Sequence, residues 1–185
     1  MKNLRPNAIS SINPCGVFAI EHLRHGKIRN IYKIPNGTTN EGKTSILNTN
    51  FNSGQNLLWW LSLIDNTNYI SVADTDTYVN INQEGNGWVE FTGYTDANNN
   101  DDITTRPRWY NDATDNAFIT NATKSLFDIT ISGTIKGAFL VGGAAAQIKN
   151  DHSAGNILWA TAFSLESTIT LEAKDQLRII YKISL

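Results

Sequence analysis

Three short stretches bring together residue types that could do chemistry. The first is GTTNEGKT, Gly37 to Thr44, which satisfies the G-x-x-x-x-G-K-[ST] pattern of a phosphate-binding loop. In such a loop backbone N–H groups wrap the phosphate oxygens and the lysine, here Lys43, reaches the outer ones. Glu41 argues against that chemistry, because its carboxylate would stand among the anions. The same residue suits a helix start: Thr38 followed by Glu41 is a capping box, in which the carboxylate folds back onto the Thr38 N–H at the positive end of the helix dipole. Nucleotide binding is therefore not expected, and no cofactor is.

The second stretch is DANNNDD, Asp96 to Asp102, with oxygen ligands at alternate positions as in a calcium loop. Asp101 stands where that loop requires Gly, and the final bidentate Glu falls on Pro107, so a solvated Asn/Asp turn is expected, with no metal. Asp74 and Asp76 are read in the same way. The third stretch is TRPRW, where Arg106 and Arg108 flank Pro107 beside Trp109. It reads as a stiff strand entry whose Trp packs on the core, or as a contact to a subunit or host surface through guanidinium stacking and a bidentate grip on a carboxylate.

For catalysis the residue types are poorly spaced. His22, His25 and His152 form no metal-ligand pattern, and Cys15 has no evident local partner. Asp151-His152-Ser153 are neighbours in sequence, whereas triad members meet through the fold. No enzymatic activity is expected. Gly142 and Gly143 open a small-residue loop, GGAAA, that either admits another chain at close range or simply lacks side chains because none are needed there.

The elements that must position these residues are mostly strands. LRIIYKISL alternates Leu177, Ile179, Tyr181, Ile183 and Leu185 with Arg178, Ile180, Lys182 and Ser184, the period of a strand with one buried face. With STITLEA upstream and AKDQ as the turn, it reads as a terminal hairpin. LFDITIS, IKGAFLV, ILWATAF, LLWWLSLID and GWVEFTGY read as further strands, and CGVFAIEHL and KIRNIYKI as a hairpin turning at Gly26. One short helix is expected over about residues 39–50. The fold class is thus all-β, an antiparallel β-sandwich of jelly-roll type with one short α-helix. Residues 1–16, containing Arg5 and Pro6, read as an N-terminal arm and 17–185 as the domain. The loops 95–106 and 142–156 are long enough to be functional or mobile.

The 185 residues suffice for a single core. A net charge of −2 leaves no general basic field for nucleic acid, so no nucleic-acid partner is expected. One cysteine excludes an internal disulfide, and neither a signal peptide nor a membrane span is read, which points to a protein made in a cytoplasm.

In order, VFAIEHLRHGKI, IPNGTTNEGKTSIL, WLSLIDN, GWVEFTGY, TRPRW, ISGTIKGAFLV, ILWATAFS and DQLRIIYKISL resemble a family of tailed-bacteriophage virion proteins, the minor head or capsid-decoration proteins. The resemblance covers roughly residues 17–185 and implies a structural protein of the phage head, made in the host cytoplasm, with no catalytic residues. It implies the major capsid protein or other virion proteins as partners. A homotrimer on a local three-fold is favoured, with the arm at Arg5 and Pro6 as first candidate for the shell contact. DANNNDDIT looks like an insertion within the family pattern. The alternative is a fibre or spike domain that binds host-surface glycans through its aromatic and Asn-rich surfaces.

Overall fold

The computed structural model describes residues 15–51, 58–67, 69–81, 87–110, 113–115, 118–151, 153–163 and 168–184. Two antiparallel sheets pack face to face with a single helix, an all-β sandwich. Alternation builds the second sheet. In β1 (Cys15–Arg24) Phe18 and Ile20 point inward while Val17 and Ala19 point out, and in β13 (Gln176–Ser184) Leu177, Ile179 and Tyr181 point inward. These two strands pair along almost their full lengths. β2 (Lys27–Thr38) flanks β1 through a tight turn at His25–Gly26, both with positive φ.

The first sheet is assembled on β10 (Gly133–Gly142), which lies between β3 (Trp59–Asp65) and β11 (Ile157–Phe163). β4 (Glu90–Phe91) continues it beyond β3. Here alternation fails: Trp60 to Ile64 and Gly137 to Gly142 are buried without interruption. The reason is that both faces are covered. Leu61, Leu63, Ala138 and Leu140 face the second sheet, while Trp60, Ile64, Phe139, Val141 and Leu158 meet Tyr78, Ile81, Trp88 and Ala146 from irregular segments. Strands buried on both faces read as continuous apolar runs.

Three expectations are corrected. The terminal hairpin does not form: β12 (Ile169–Leu171) pairs with β10, whereas β13 pairs with β1, so the AKDQ turn carries the chain from one sheet to the other. GWVEFTGY is not one strand. It divides at Thr92–Gly93, β4 joining β3 while β5 (Tyr94–Asp96) joins β9 (Ser125–Ile129) in the other sheet. The crossing needs glycine, since a Cβ at Gly93 would lie 2.8 Å from the Phe91 ring. The arm, read as residues 1–16, is shorter at its inner end: Cys15 and Gly16 already pair with Ser184 and Ile183.

β6 (Arg108–Trp109) adds to the β3 edge, and β7 (Ala113–Asp115) and β8 (Phe118–Thr120) extend the second sheet beyond β13. The helix α1 (Asn40–Phe51) follows β2 directly. β2 reaches β11 only through Asn36–Thr38, and the helix start takes over the β11 edge where β2 leaves it.

Candidate functional site

The GTTNEGKT segment runs from the end of β2 into α1 as a helix entry closed to phosphate. Thr39, not Thr38, is the cap, accepting from the Gly42 N–H at 3.1 Å while its own hydroxyl donates to the Leu158 carbonyl. The Thr39 N–H donates to Trp159 O at 3.0 Å and the Asn40 N–H to Asp74 O at 2.7 Å. The Thr39, Asn40 and Gly42 N–H groups, which would help to cradle an anion, are thus already engaged. Glu41 does not close a capping box. Its Oε2 accepts from Tyr78 N at 2.9 Å and Leu158 N at 2.8 Å, which ties the helix to β11 and to the 3-10 turn Tyr78–Asn80. Lys43 stands 3.8 Å from Asp74 on the surface.

TRPRW divides by depth. Arg106 is 0% exposed, and its guanidinium grips the Glu90 carboxylate in two parallel bonds, Nε to Oε1 at 2.8 Å and Nη2 to Oε2 at 2.7 Å. Its Nη1 donates to the Tyr78 hydroxyl at 3.0 Å and to the Ala146 carbonyl at 2.7 Å. Glu90 also accepts from Ser62 Oγ and from the Asn150 N–H. The bidentate grip foreseen from the sequence is present, but its carboxylate belongs to this chain, so Arg106 offers nothing to a partner. Burial by itself would raise the Glu90 pKa, yet the Arg106 charge and hydrogen bonds outweigh it and hold the carboxyl below its ordinary value. This ion pair fastens two irregular segments, one around Tyr78 and the other at Ala146–Asn150, over the outer face of the first sheet.

Trp109 is buried in the sandwich and donates from Nε1 to Tyr181 O at 3.2 Å. Arg108 is half-buried and stacks over the exposed Tyr110 ring at 4.7 Å. Of the TRPRW side chains offered as contacts, it is the one that retains surface. Gly142 and Gly143 are buried: a Cβ at Gly142 would lie 2.5 Å from the Trp59 ring, and one at Gly143 would meet Asn156 Oδ1. The close approach those glycines permit is to their own chain. Arg5 and Pro6 lie outside the described residues.

The two long loops hold each other. Arg106 N donates to Gln147 O at 2.7 Å and Lys149 N to Thr104 O at 2.9 Å, with a bridge between Thr105 and Ile148. Lys149 Nζ sits over the Tyr94 ring at 4.2 Å and donates to Tyr94 O at 2.6 Å. Within DANNNDD, Asp96 accepts from the Asn98 N–H and Asp102 from the Thr104 N–H, at 3.0 and 2.6 Å. These carboxylates terminate turns in their own loop.

Two surfaces went unnoticed in the sequence. One is a cleft of about 540 Å³ at the end of the second sheet, lined by Leu23, Thr95, Asp101, Asp128, Lys174 and Asp175 among others. Behind it His22 Nε2 and Asp175 Oδ2 lie 2.8 Å apart, and Arg24 donates to both Asp175 oxygens at 2.8 Å. Burial would raise Asp175, but the bonds from Arg24, the Glu172 N–H and His22 hold it well below the usual carboxylate range.

The other is the outer face of the second sheet. Its rows follow from register: Lys33–Ala19–Ile180, Pro35–Val17–Lys182–Thr120 and Ile31–Glu21–Arg178. Val17 is 40% and Ile31 57% exposed. Lys182 Nζ lies 3.6 Å from the Phe118 ring centroid, and Lys124 reaches across to Glu21 at 2.7 Å. Each strand's pattern marks its outward residues, but only strand order reveals that they form one surface. Comparison of the chain with protein-family models, with curated proteins and with solved structures returns no match.

Proposed function

We propose that this chain is a structural virion protein that binds a phage head and decorates or stabilises it, in contact with the major capsid protein or other virion proteins. The observation that carries the reading is the ordered set of phrases from VFAIEHLRHGKI to DQLRIIYKISL, with its resemblance to minor head and decoration proteins. A second kind of support comes from where the reactive residue types sit. Arg106, Glu90, Glu41 and Asp175 hold irregular segments or turns to the sandwich through bonds within the chain. We assign no catalytic residue and no cofactor.

The glycan-binding alternative leans on the five tryptophans. Trp60, Trp88, Trp109 and Trp159 are buried and Trp59 is half-buried, so among the described residues no tryptophan offers an open stacking platform. Decoration in many copies favours closed symmetry, and a trimer is the assembly we propose. Co-sedimentation of the purified full chain with empty heads of the encoding phage tests the reading. Saturable binding is expected, and absence of binding beside glycan-array hits would replace it with the alternative.

A further inference from the structure

The outer face of the β2–β1–β13–β8 sheet combines two features that a merely solvated face does not need. Its centre is apolar, with Val17, Ala19, Ile31, Pro35 and Ile180 on adjacent strands. Lys33, Arg178 and Lys182 stand among them and form no ion pair among the described residues, while Glu21 is neutralised by Lys124. Asp128 also lies on this face, linked to Arg178 through Gln176, so the three cations outnumber that one carboxylate and the face is positive on a chain whose net charge is −2.

We propose that this face docks a protein surface presenting carboxylates around an apolar centre and, resting on the head-binding reading above, that this surface belongs to the phage shell. Opposite charge around an apolar contact steers the encounter and fixes register. A second copy meeting this face with its own would bring Lys33, Arg178 and Lys182 against one another, since a two-fold contact is self-complementary. Nucleic acid fits poorly, because phosphates would have to cover exposed Val17 and Ile31 without any apolar partner. An anionic membrane could also take an apolar face ringed by cations, and the vesicle arm of the test separates it from a protein surface.

The test uses the full-length chain and empty heads of the encoding phage. Lys33→Glu/Lys182→Glu reverses two exposed charges on the face, and Val17→Ser/Ile31→Ser removes apolar contact. Lys136→Glu, which changes a lysine beside Tyr69 over the first sheet, is the control. Melting curves first establish that all variants are folded. The charge-reversed variant is expected to bind heads at least about tenfold more weakly, with wild-type affinity falling as salt rises. The serine variant is also expected to weaken, and Lys136→Glu to bind like wild type. Wild-type binding that both face variants retain overturns this face as the docking surface and leaves head binding intact. No wild-type binding overturns the head-binding reading and the shell as occupant together. Binding to phosphatidylglycerol vesicles or duplex DNA that the charge reversal abolishes, with heads ignored, overturns the protein partner. A face-dependent dimer in light scattering assigns the occupant to a second copy and also overturns it.

Discussion

At the scale of single residues, the buried charges explain how loops come to lie on a sheet. A loop carries backbone groups that must be satisfied once water is excluded. Arg106 supplies donors to Ala146 O and Tyr78 Oη, and Glu90 accepts from Asn150 N. Removing one partner leaves the other charge buried and unpaired, a loss of about 3–5 kcal/mol, whereas replacing both with apolar residues of similar volume recovers the part due to the unpaired charge. Arg106→Met is therefore expected to lower the urea midpoint sharply and Arg106→Met/Glu90→Leu to restore only part of the loss, because Ala146 O and Asn150 N lose their partners in the double variant. Asp175 makes a pH prediction. Its folded pKa lies below the unfolded value of about 3.9. Its contribution to stability is thus complete above that value and is lost as pH falls through the folded one. Asp175→Asn is expected to flatten the acid limb of stability against pH, measured by denaturant midpoints below about pH 4.

At the scale of elements, two junctions carry the architecture. In the turn Glu172–Asp175 the Asp175 N–H donates to Glu172 O at 3.0 Å, and Lys174 adopts φ 78°, the third-position geometry that favours glycine. Lys174→Gly is expected to stabilise by about 1 kcal/mol, since relief of the left-handed cost exceeds glycine's extra chain entropy. Thermal denaturation checks the sign. The other junction is the start of α1 against β11. A Cβ at Gly42 would stand 2.4 Å from Trp159 O, a backbone atom that cannot rotate away. Gly42→Ala should push the helix off the strand and cost about 1–3 kcal/mol in chemical denaturation.

At the scale of the whole molecule, the sandwich has one sheet covered on both faces and another whose outer face meets solvent. The cover comes from Tyr78, Ile81 and Trp88 with Ala146 of the loop 142–156, and Arg106 at the end of the loop 95–106 ties these together, while residues 98–101 and 103–104 stay exposed. That arrangement also closes the phosphate-loop question. With Thr39, Asn40 and Gly42 N–H groups engaged and Glu41 held at the helix start, millimolar Mg-ATP or Mg-GTP is expected to leave the melting temperature unchanged. A ligand-dependent rise would overturn that assignment. For assembly, light scattering on the proposed trimer should give three times the 20.5 kDa of the chain.

The sequence by itself determined the strands with a single buried face, because alternation is a local property: the β1–β2 hairpin at Gly26 and the inward Leu177, Ile179 and Tyr181 could be read directly. It also placed the helix, which runs Asn40–Phe51, although the capping box read at Thr38 and Glu41 gives way to a Thr39 cap, with Glu41 bonded to Tyr78 N and Leu158 N. The tertiary structure alone decided which sheet each strand joined, and hence that β12 and β13 part company after a hairpin-like turn. It decided too that Arg106 meets Glu90 across 16 residues of chain and that Val17, Ile31 and Ile180 share a surface. Pairing partners far apart in sequence are chosen by the closure of the whole core, and residue periodicity records only that a face is buried, never against what.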